Sequence, residues 1–242
     1  MIAAGAIATP VPTQTDEKCI WQPNRIRMFL SHVSRVKVPT ANLKKSLGAY
    51  GIDAFVAHED ILPTMEWRRE IEFALRSMHM LCAVITEDFI KSAWADQEVG
   101  FALGRPVPVV AIRCGADPYG LLGKDQALTA DIGKLEASGA AIADIVAQQA
   151  ALRPQLIDGL VDALCTSYSY QQSKDGMRLL TRLSDAVSAA QALRLLEAAR
   201  DNSQVGEAHG VPSQIETIAK RLKVTLPAPT ADATDFDDDI PF

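Results

Sequence analysis

Between residues 25 and 113 the sequence alternates short, strongly apolar runs with longer amphipathic ones, and this alternation restricts the possible folds more than any other feature. The apolar runs predict strands at 26–32, 52–57, 80–86 and 106–113. The segments between them, 39–51, 66–78 and 94–104, have helical periodicity. Strand–helix alternation at this spacing indicates βαβ crossovers. It therefore predicts a doubly wound α/β domain, in which helices cover both faces of a parallel sheet.

The strand signal stops at about residue 127, and the sequence from there to residue 224 is predicted to be helical. Helical periodicity is present in the stretches 131–151, 153–166, 174–186, 188–200 and 213–223. Ser188 with Gln191, and Ser213 with Glu216, have the spacing of a capping box. These signals predict a flexible leader (1–24), an α/β domain (25–128), a small all-α domain for oligomerisation or sensing (129–224) and a disordered acidic tail (225–242).

Composition and charge exclude several classes of protein. The chain has 48% hydrophobic and 22% charged residues, and it has no run of eighteen apolar residues that could span a membrane. Its four cysteines are scattered, so neither a zinc site nor a disulfide framework is expected, and a cytoplasmic location is expected. Five of the 30 acids lie after residue 230, which leaves 25 acids against 24 bases elsewhere. The chain before its acidic end is therefore nearly neutral, which does not favour direct binding of nucleic acid.

The candidate site consists of residues that follow different strands. Ser31 ends the first strand, Trp67 opens the second helix, and Trp94 and Glu98 lie one helical turn apart in the third helix. Because the carboxyl ends of parallel strands share one edge of the sheet, these side chains are expected to converge with the 58–66 loop. Phe101 is expected to be a core residue. Glycine-rich nucleotide loops, the G-x-S-x-G elbow and H-E-x-x-H are missing.

At these residues the sequence resembles the TIR (Toll/interleukin-1 receptor) family in its bacterial form. Four segments carry the resemblance in the right order, namely FLSH, HEDILPTMEWRREIEFAL, SAWADQEVGFALGR and ADPYGLLGKDQAL, over about residues 25–128. The resemblance implies a flavodoxin-like fold and cleavage of NAD⁺ at the nicotinamide–ribose bond. It implies Glu98 as the catalytic residue and Ser31, Trp67 and Trp94 as substrate-binding residues. NAD⁺ would be the substrate, with no metal or further cofactor.

Two functions of different classes follow from this resemblance. The first is an NAD⁺ glycohydrolase or cyclase that acts as an effector in bacterial anti-phage defence and is activated by assembly. The alternative is a non-enzymatic adaptor or scaffold that works through contacts between TIR domains. Both predict self-association through the α/β and helical domains, and only the first requires Glu98.

The last eight residues, DFDDDIPF, resemble the C-terminal tip of bacterial single-stranded DNA-binding protein. In that family the tip docks on replication and repair enzymes. The resemblance predicts a docking peptide that binds the same enzymes, with an aromatic end for an apolar pocket and an acidic run for a basic rim. There are two alternatives: the tail only increases solubility, or it binds to the chain's own helical domain. The predicted docking residues are Asp237, Asp238, Asp239, Ile240, Pro241 and Phe242.

Overall fold

The computed structural model describes residues 20–56, 65–124 and 127–227, without the side chains of 65–67 and 124. Its centre is a five-stranded sheet in which every pairing is parallel, in the order β2-β1-β3-β4-β5. This order, with helices on both faces, confirms the predicted flavodoxin-like α/β fold. The strands are β1 (Ile26–Ser31), β2 (Ile52–Phe55), β3 (Met80–Ile85), β4 (Val109–Arg113) and β5 (Leu128–Thr129).

The fifth strand lies just past the residue where the sequence showed no further strand signal. β5 has two residues, and it pairs Leu128 with Ile112 and Thr129 with Arg113 at the end of β4. So short an edge strand has no measurable alternation of apolar and polar residues, and its register is set by β4. The prediction that strands end before residue 127 is therefore wrong by one strand.

Within the described residues there are nine α-helices, three of them between the strands and six after the last strand. The sheet helices start and stop within two or three residues of the predicted bounds, as do most of the later ones. The predicted helix 131–151 is α-helical only over Gly139–Gln148, after a 3₁₀ helix over Ile132–Ser138. The helix Tyr170–Arg182 begins four residues before its predicted start, and the short helix Ser203–Gly206 was not predicted. They are α1 (Lys37–Gly48), α2 (Met65–Ser77), α3 (Ala93–Leu103), α4 (Gly139–Gln148), α5 (Arg153–Cys165), α6 (Tyr170–Arg182), α7 (Ala189–Asp201), α8 (Ser203–Gly206) and α9 (Val211–Leu222).

The two faces of the sheet pack into two separate cores. On β1, Met28 and Leu30 belong to the core that contains α1 and the later helices, whereas Phe29 belongs to the core beneath α2 and α3. Side chains alternate along a strand, so Ser31 lies on the same face as Phe29. The strand therefore directs Ser31 towards α2 and α3.

The helical region packs directly on the sheet and shares its first core, which runs from Ile26 to Ile218. The contact is close where Gly51, at the start of β2, meets Gly159 in α5. A Cβ on Gly51 would lie 2.2 Å from the Gly159 carbonyl carbon, and Gly51 has a φ of +72°. Two glycines are thus required for this backbone approach.

Two local expectations in this region have different outcomes. The capping box of Ser188 and Gln191 is present at the start of α7, which confirms that prediction. Ser213 lies inside α9, whose N-cap is Gly210, and its hydroxyl donates to the Gly210 carbonyl. The predicted cap at Ser213 is therefore wrong, because a left-handed glycine followed by Pro212 starts the helix three residues earlier.

The ends of the chain fall largely outside the description. Residues 1–19 of the predicted leader and 228–242 of the predicted tail are not described. Trp21, within the predicted leader, is buried against Phe55, and its ring N–H donates to Ser77 Oγ at 2.8 Å. The folded part therefore begins several residues before the predicted boundary. Among the described residues, no helix is long and apolar enough to cross a membrane.

Candidate functional site

A buried carboxyl group lies at the carboxyl edge of the sheet. Glu98 is 6% exposed, and its Oε2 accepts a hydrogen bond from the fully buried hydroxyl of Ser31 at 2.5 Å. Sixty-seven residues separate the two in sequence, so the contact exists only because the fold places the end of β1 beside α3. The predicted convergence of Ser31 and Glu98 is thus observed in the structure.

Local structure explains how α3 presents this carboxyl group. β3 ends at Ile85, and a 3₁₀ turn over Phe89–Lys91 leads to Ser92. The Ser92 hydroxyl caps α3 by accepting the Ala95 N–H at 3.3 Å. Glu98 lies in the second turn, on the face of the helix that packs on the sheet. The other buried residues on this face, Ala95, Val99 and Ala102, are apolar, so Glu98 is its one acidic member.

Burial changes the acidity of this group strongly. It raises the pKa of Glu98 from 4.5 to about 7, whereas the hydrogen bond from Ser31 acts in the opposite direction by stabilising the anion. The group can therefore change its charge near neutral pH. A carboxyl group placed in this way contributes little to packing, and a shifted pKa in a cleft is typical of functional carboxyl groups.

Two cavities adjoin Glu98 on either side of Trp94. The larger, of about 420 Å³, lies between α2 and α3. The smaller, of about 170 Å³, lies against the residues that follow β1. Trp94 and Glu98 line both, as does Ile71 of α2. The predicted pair at one helical turn therefore forms a shared wall, with Trp94 45% exposed and Glu98 buried beside it.

Each cavity has polar lining residues that were not predicted as part of the site. His32, Ser34 and Ser92 line the smaller cavity, and the ring Nδ1 of His32 lies 3.0 Å from the Leu30 carbonyl oxygen. Arg68 and Gln97 line the larger cavity. Gln97 could have been found from its helical spacing, since it lies three residues after Trp94. His32 has no such signal, because it follows β1 in a connection without a period. Arg68 lies in α2, but helical periodicity alone does not show that its exposed face borders a cavity shared with α3.

The exposure of Phe101 shows that one prediction is wrong. It was expected in the core, but its side chain is 38% exposed and lines the larger cavity. It lies seven residues after Trp94, so both aromatic rings are on one face of α3. Arg105 lies 5.8 Å from the centre of the Phe101 ring and donates to the Leu75 carbonyl oxygen at 2.5 Å. Arg105 thus joins α2 to α3 along the rim of the cavity.

A second tether holds the other side of α3. The Tyr119 hydroxyl donates to Asp96 Oδ1 at 2.5 Å, and burial together with this carboxylate raises the pKa of Tyr119 to about 12. Tyr119 lies in the segment after β4, which is one of the segments that carry the resemblance. The bond links that segment to the first turn of the helix that bears Glu98.

Other predicted site residues cannot be placed. The backbone of Trp67 lies in the first turn of α2, but its side chain is outside what the structure describes, as is most of the 58–66 loop. The predicted docking residues, Asp237 to Phe242, also lie outside. Within the described ranges, no group of three or more histidine, cysteine and acidic side chains is arranged to hold a metal ion.

The buried carboxyl group has a consequence for stability that can be measured without any substrate. Because the folded chain holds the Glu98 proton more tightly than the unfolded chain, the free energy of unfolding falls as the pH rises from about 4.5 to about 7. Glu98→Gln keeps an oxygen for Ser31 and cannot ionise. We expect it to match the parent chain at pH 4 and to be more stable by about 3 kcal/mol at pH 8.

Urea unfolding at a series of pH values measures this difference. Glu136→Gln removes a carboxyl group from an exposed position on the opposite face of the sheet, and its effect is expected to stay within about 0.5 kcal/mol throughout. If Glu98→Gln changes the free energy of unfolding by the same amount at pH 4 and pH 8, burial does not raise the pKa of Glu98.

Comparison with known proteins agrees with this architecture. Residues 28–146 match the model of the TIR domain family, and this match covers the sheet from Met28 onwards, the two cavities beside Glu98 and α4 as far as Val146. No curated protein and no solved structure matches the chain. The matched segment contains Ser31, Trp94 and Glu98, and its strand order is the one the family resemblance implied. The chain is therefore a TIR-domain protein, with a helical region that continues beyond the matched residues.

Proposed function

We propose that this TIR-domain protein cleaves NAD⁺ at the bond between nicotinamide and ribose, with Glu98 as the catalytic residue. TIR domains include NAD⁺-cleaving enzymes and non-enzymatic adaptors. The observation that supports the enzymatic function is the buried Glu98 carboxyl group, bonded to Ser31 and open to two cavities. An adaptor gains nothing from an acid in this position, where burial makes the anion costly.

The chemistry needs one well-placed negative charge. When the C1′–N bond breaks, its electron pair leaves with nicotinamide, which becomes neutral and needs no general acid. The ribose is left as an oxocarbenium ion, which water or an internal nucleophile then attacks at C1′. A Glu98 carboxylate stabilises this positive charge as it develops and accepts hydrogen bonds from the ribose hydroxyls. Low dielectric makes such stabilisation stronger than it would be in water.

The two cavities suit a substrate that extends on both sides of the reacting bond. Glu98 and Trp94 separate them, so a ligand that fills both brings its central part to the carboxyl group. Trp94 offers a half-exposed aromatic surface for stacking. Arg68, which lines the larger cavity together with Glu72, is the basic group there that would pair with a pyrophosphate. Ser31 supports catalysis through Glu98, since its hydroxyl favours the ionised carboxyl group.

Adaptor function is the second candidate, and one surface supports it. Three large apolar side chains are exposed on or just before α3, namely Ile90, Trp94 and Phe101. Exposed aromatic groups of this kind are typical of protein interfaces, and TIR domains commonly self-associate. Self-association and catalysis are compatible, because an assembled neighbour beside α3 would also enclose the larger cavity.

In a cell, an NAD⁺-consuming TIR protein would act as an effector in anti-phage defence, whose activity is withheld until assembly. The acidic tip from Asp237 to Phe242 would dock on proteins that bind the tip of single-stranded DNA-binding protein. Its sequence supports this part of the proposal, since a run of three aspartates that suits a basic rim is followed by three apolar residues that suit a pocket.

The enzymatic proposal predicts the effect of one substitution. Glu98→Gln is expected to lower the rate of NAD⁺ loss by about a hundredfold to a thousandfold, because the charge that stabilises the ribose cation is removed. The assay follows NAD⁺ and its products by chromatography, with the full chain at concentrations at which it self-associates. Glu136→Gln, which is far from both cavities, is the matched control and should retain the parent rate.

Two outcomes would contradict the proposal. Unchanged turnover in Glu98→Gln would show that another group catalyses the reaction. No NAD⁺ loss by the assembled parent chain would favour the adaptor.

The docking proposal has a separate test in a pull-down at fixed salt concentration. Deletion of Phe242 removes the aromatic group expected to fill the partner's pocket, and it should abolish capture of replication and repair enzymes while NAD⁺ cleavage persists. Capture of the same enzymes by the deleted chain would refute docking through the tip.

A further inference from the structure

A third cavity, of about 490 Å³, lies at the opposite edge of the sheet from Glu98. It is bounded by the amino ends of β1 and β2, by the end of α1 and by the connection between α5 and α6. Since β1 has six residues, the two edges are about 20 Å apart. This cavity is therefore a separate feature that the proposed catalysis does not use.

The charge of its wall is mainly positive. Arg25, Lys44 and Lys45 line it, against one acidic residue, Asp53. Arg25 is nearly buried, and its Nη1 donates to the Gly48 carbonyl at 2.8 Å, which fixes the guanidinium in the wall. Lys45 is exposed. The wall thus carries a net positive charge in a protein whose overall charge is −6.

The same wall has an aromatic side chain that the fold leaves in solvent. Tyr168, between α5 and α6, is 75% exposed, the highest exposure among the large apolar side chains of the described residues. Its backbone N–H donates to Gln172 Oε1 at 3.1 Å, which holds the connection in place. The cavity therefore combines positive charge, which attracts an anion, with the apolar surface of an exposed ring, and this combination favours an anionic ligand with apolar groups.

A segment of this chain has that chemistry. Residues 228–242 contain five aspartates and no basic residue; Phe236 lies among the aspartates, and Ile240 and Phe242 follow the last of them. The segment follows Pro227, the last described residue, and its fifteen residues span at most about 50 Å when extended.

The cavity lies within that reach. α9 ends near Asp185, because Arg221 pairs with Asp185 at 2.6 Å just past the end of α6. Gln172, in the wall of the cavity, lies in the first turn of α6. From Gln172 to Arg182 the helix rises over ten residues, or about 15 Å, and the three residues from there to Asp185 add at most about 10 Å. The segment can therefore span the distance with residues left over to lie in the cavity.

We propose that the cavity bounded by Arg25, Lys45 and Tyr168 binds the acidic segment 228–242 of the same chain. Tethering on this scale gives an effective concentration of about 1 mM, so even a weak site would be occupied. A segment held there is unavailable to any other protein. An external partner for the acidic tip must therefore compete with the chain's own cavity, whether or not the chain cleaves NAD⁺.

Zero-length carbodiimide coupling of the full chain, followed by mass spectrometry, tests this proposal. The reagent joins lysine amines only to carboxyl groups that already touch them. We expect bonds from Lys44 or Lys45 to Asp235, Asp237, Asp238 or Asp239 at least tenfold above those from Lys91, an exposed lysine at the other edge of the sheet. The yield should fall in 0.5 M salt because the attraction is electrostatic. Mixing ¹⁵N-labelled and unlabelled chains distinguishes bonds within a chain from bonds between chains.

Protection of the segment gives a second measurement. An endoprotease that cleaves before aspartate should cut residues 228–242 at least fivefold faster in the double variant Lys44→Glu/Lys45→Glu than in the parent chain, whereas Lys91→Glu should leave the rate unchanged. Equal coupling at Lys45 and Lys91 with equal cleavage rates would overturn the proposal. Coupling only between differently labelled chains would overturn it too, because the occupant would then be a second copy.

Discussion

The hydrogen bond from Ser31 to Glu98 joins the end of β1 to α3, the helix that follows the neighbouring strand β3, and the arrangement of the candidate site depends on it. A carboxyl group in this position is costly, since burial opposes its charge. The fold holds it there from several sides. Ser92 caps the helix, Tyr119 anchors its first turn, and Arg105 ties its far end to α2. Together these contacts place the carboxyl group between two cavities and resist its escape to solvent.

The helical region adds a second constraint. Its helices share one core with the sheet, and the contact of Gly51 with Gly159 brings α5 onto the start of β2. The region is therefore built onto the face of the sheet opposite α2 and α3. The two ends of the parallel strands therefore carry different features. The buried Glu98 carboxyl group lies at the carboxyl edge of the sheet, and the basic cavity lies at the amino edge, where the helical region forms part of its wall. An occupant of the basic cavity contacts the strand starts and the helical region together.

The extent to which the sequence predicts the structure differs by element. Strands β1 to β4 and their helices were predictable, because each has enough residues for its periodicity to appear. Leu128 and Thr129 were not, since a two-residue strand is defined by its neighbour alone. The convergence of Ser31 with Glu98 follows from parallel topology, which brings strand ends to one edge. The place of Arg68 at the cavity and the exposure of Phe101 depend on how α2 packs against α3, and that of His32 depends on the path of the chain after β1. Both are properties of tertiary structure.

The direct test of this account is a ¹³C NMR titration of the glutamate side-chain carboxyl groups in the full chain, with Glu98 assigned by the resonance that Glu98→Gln removes. If Glu98 is a buried acid at the substrate site, its resonance titrates with a midpoint near pH 7 and shifts when ADP-ribose is added, because the ribose hydroxyls bind to it. A midpoint near 4.5, or a resonance that ADP-ribose leaves unchanged, would contradict the account.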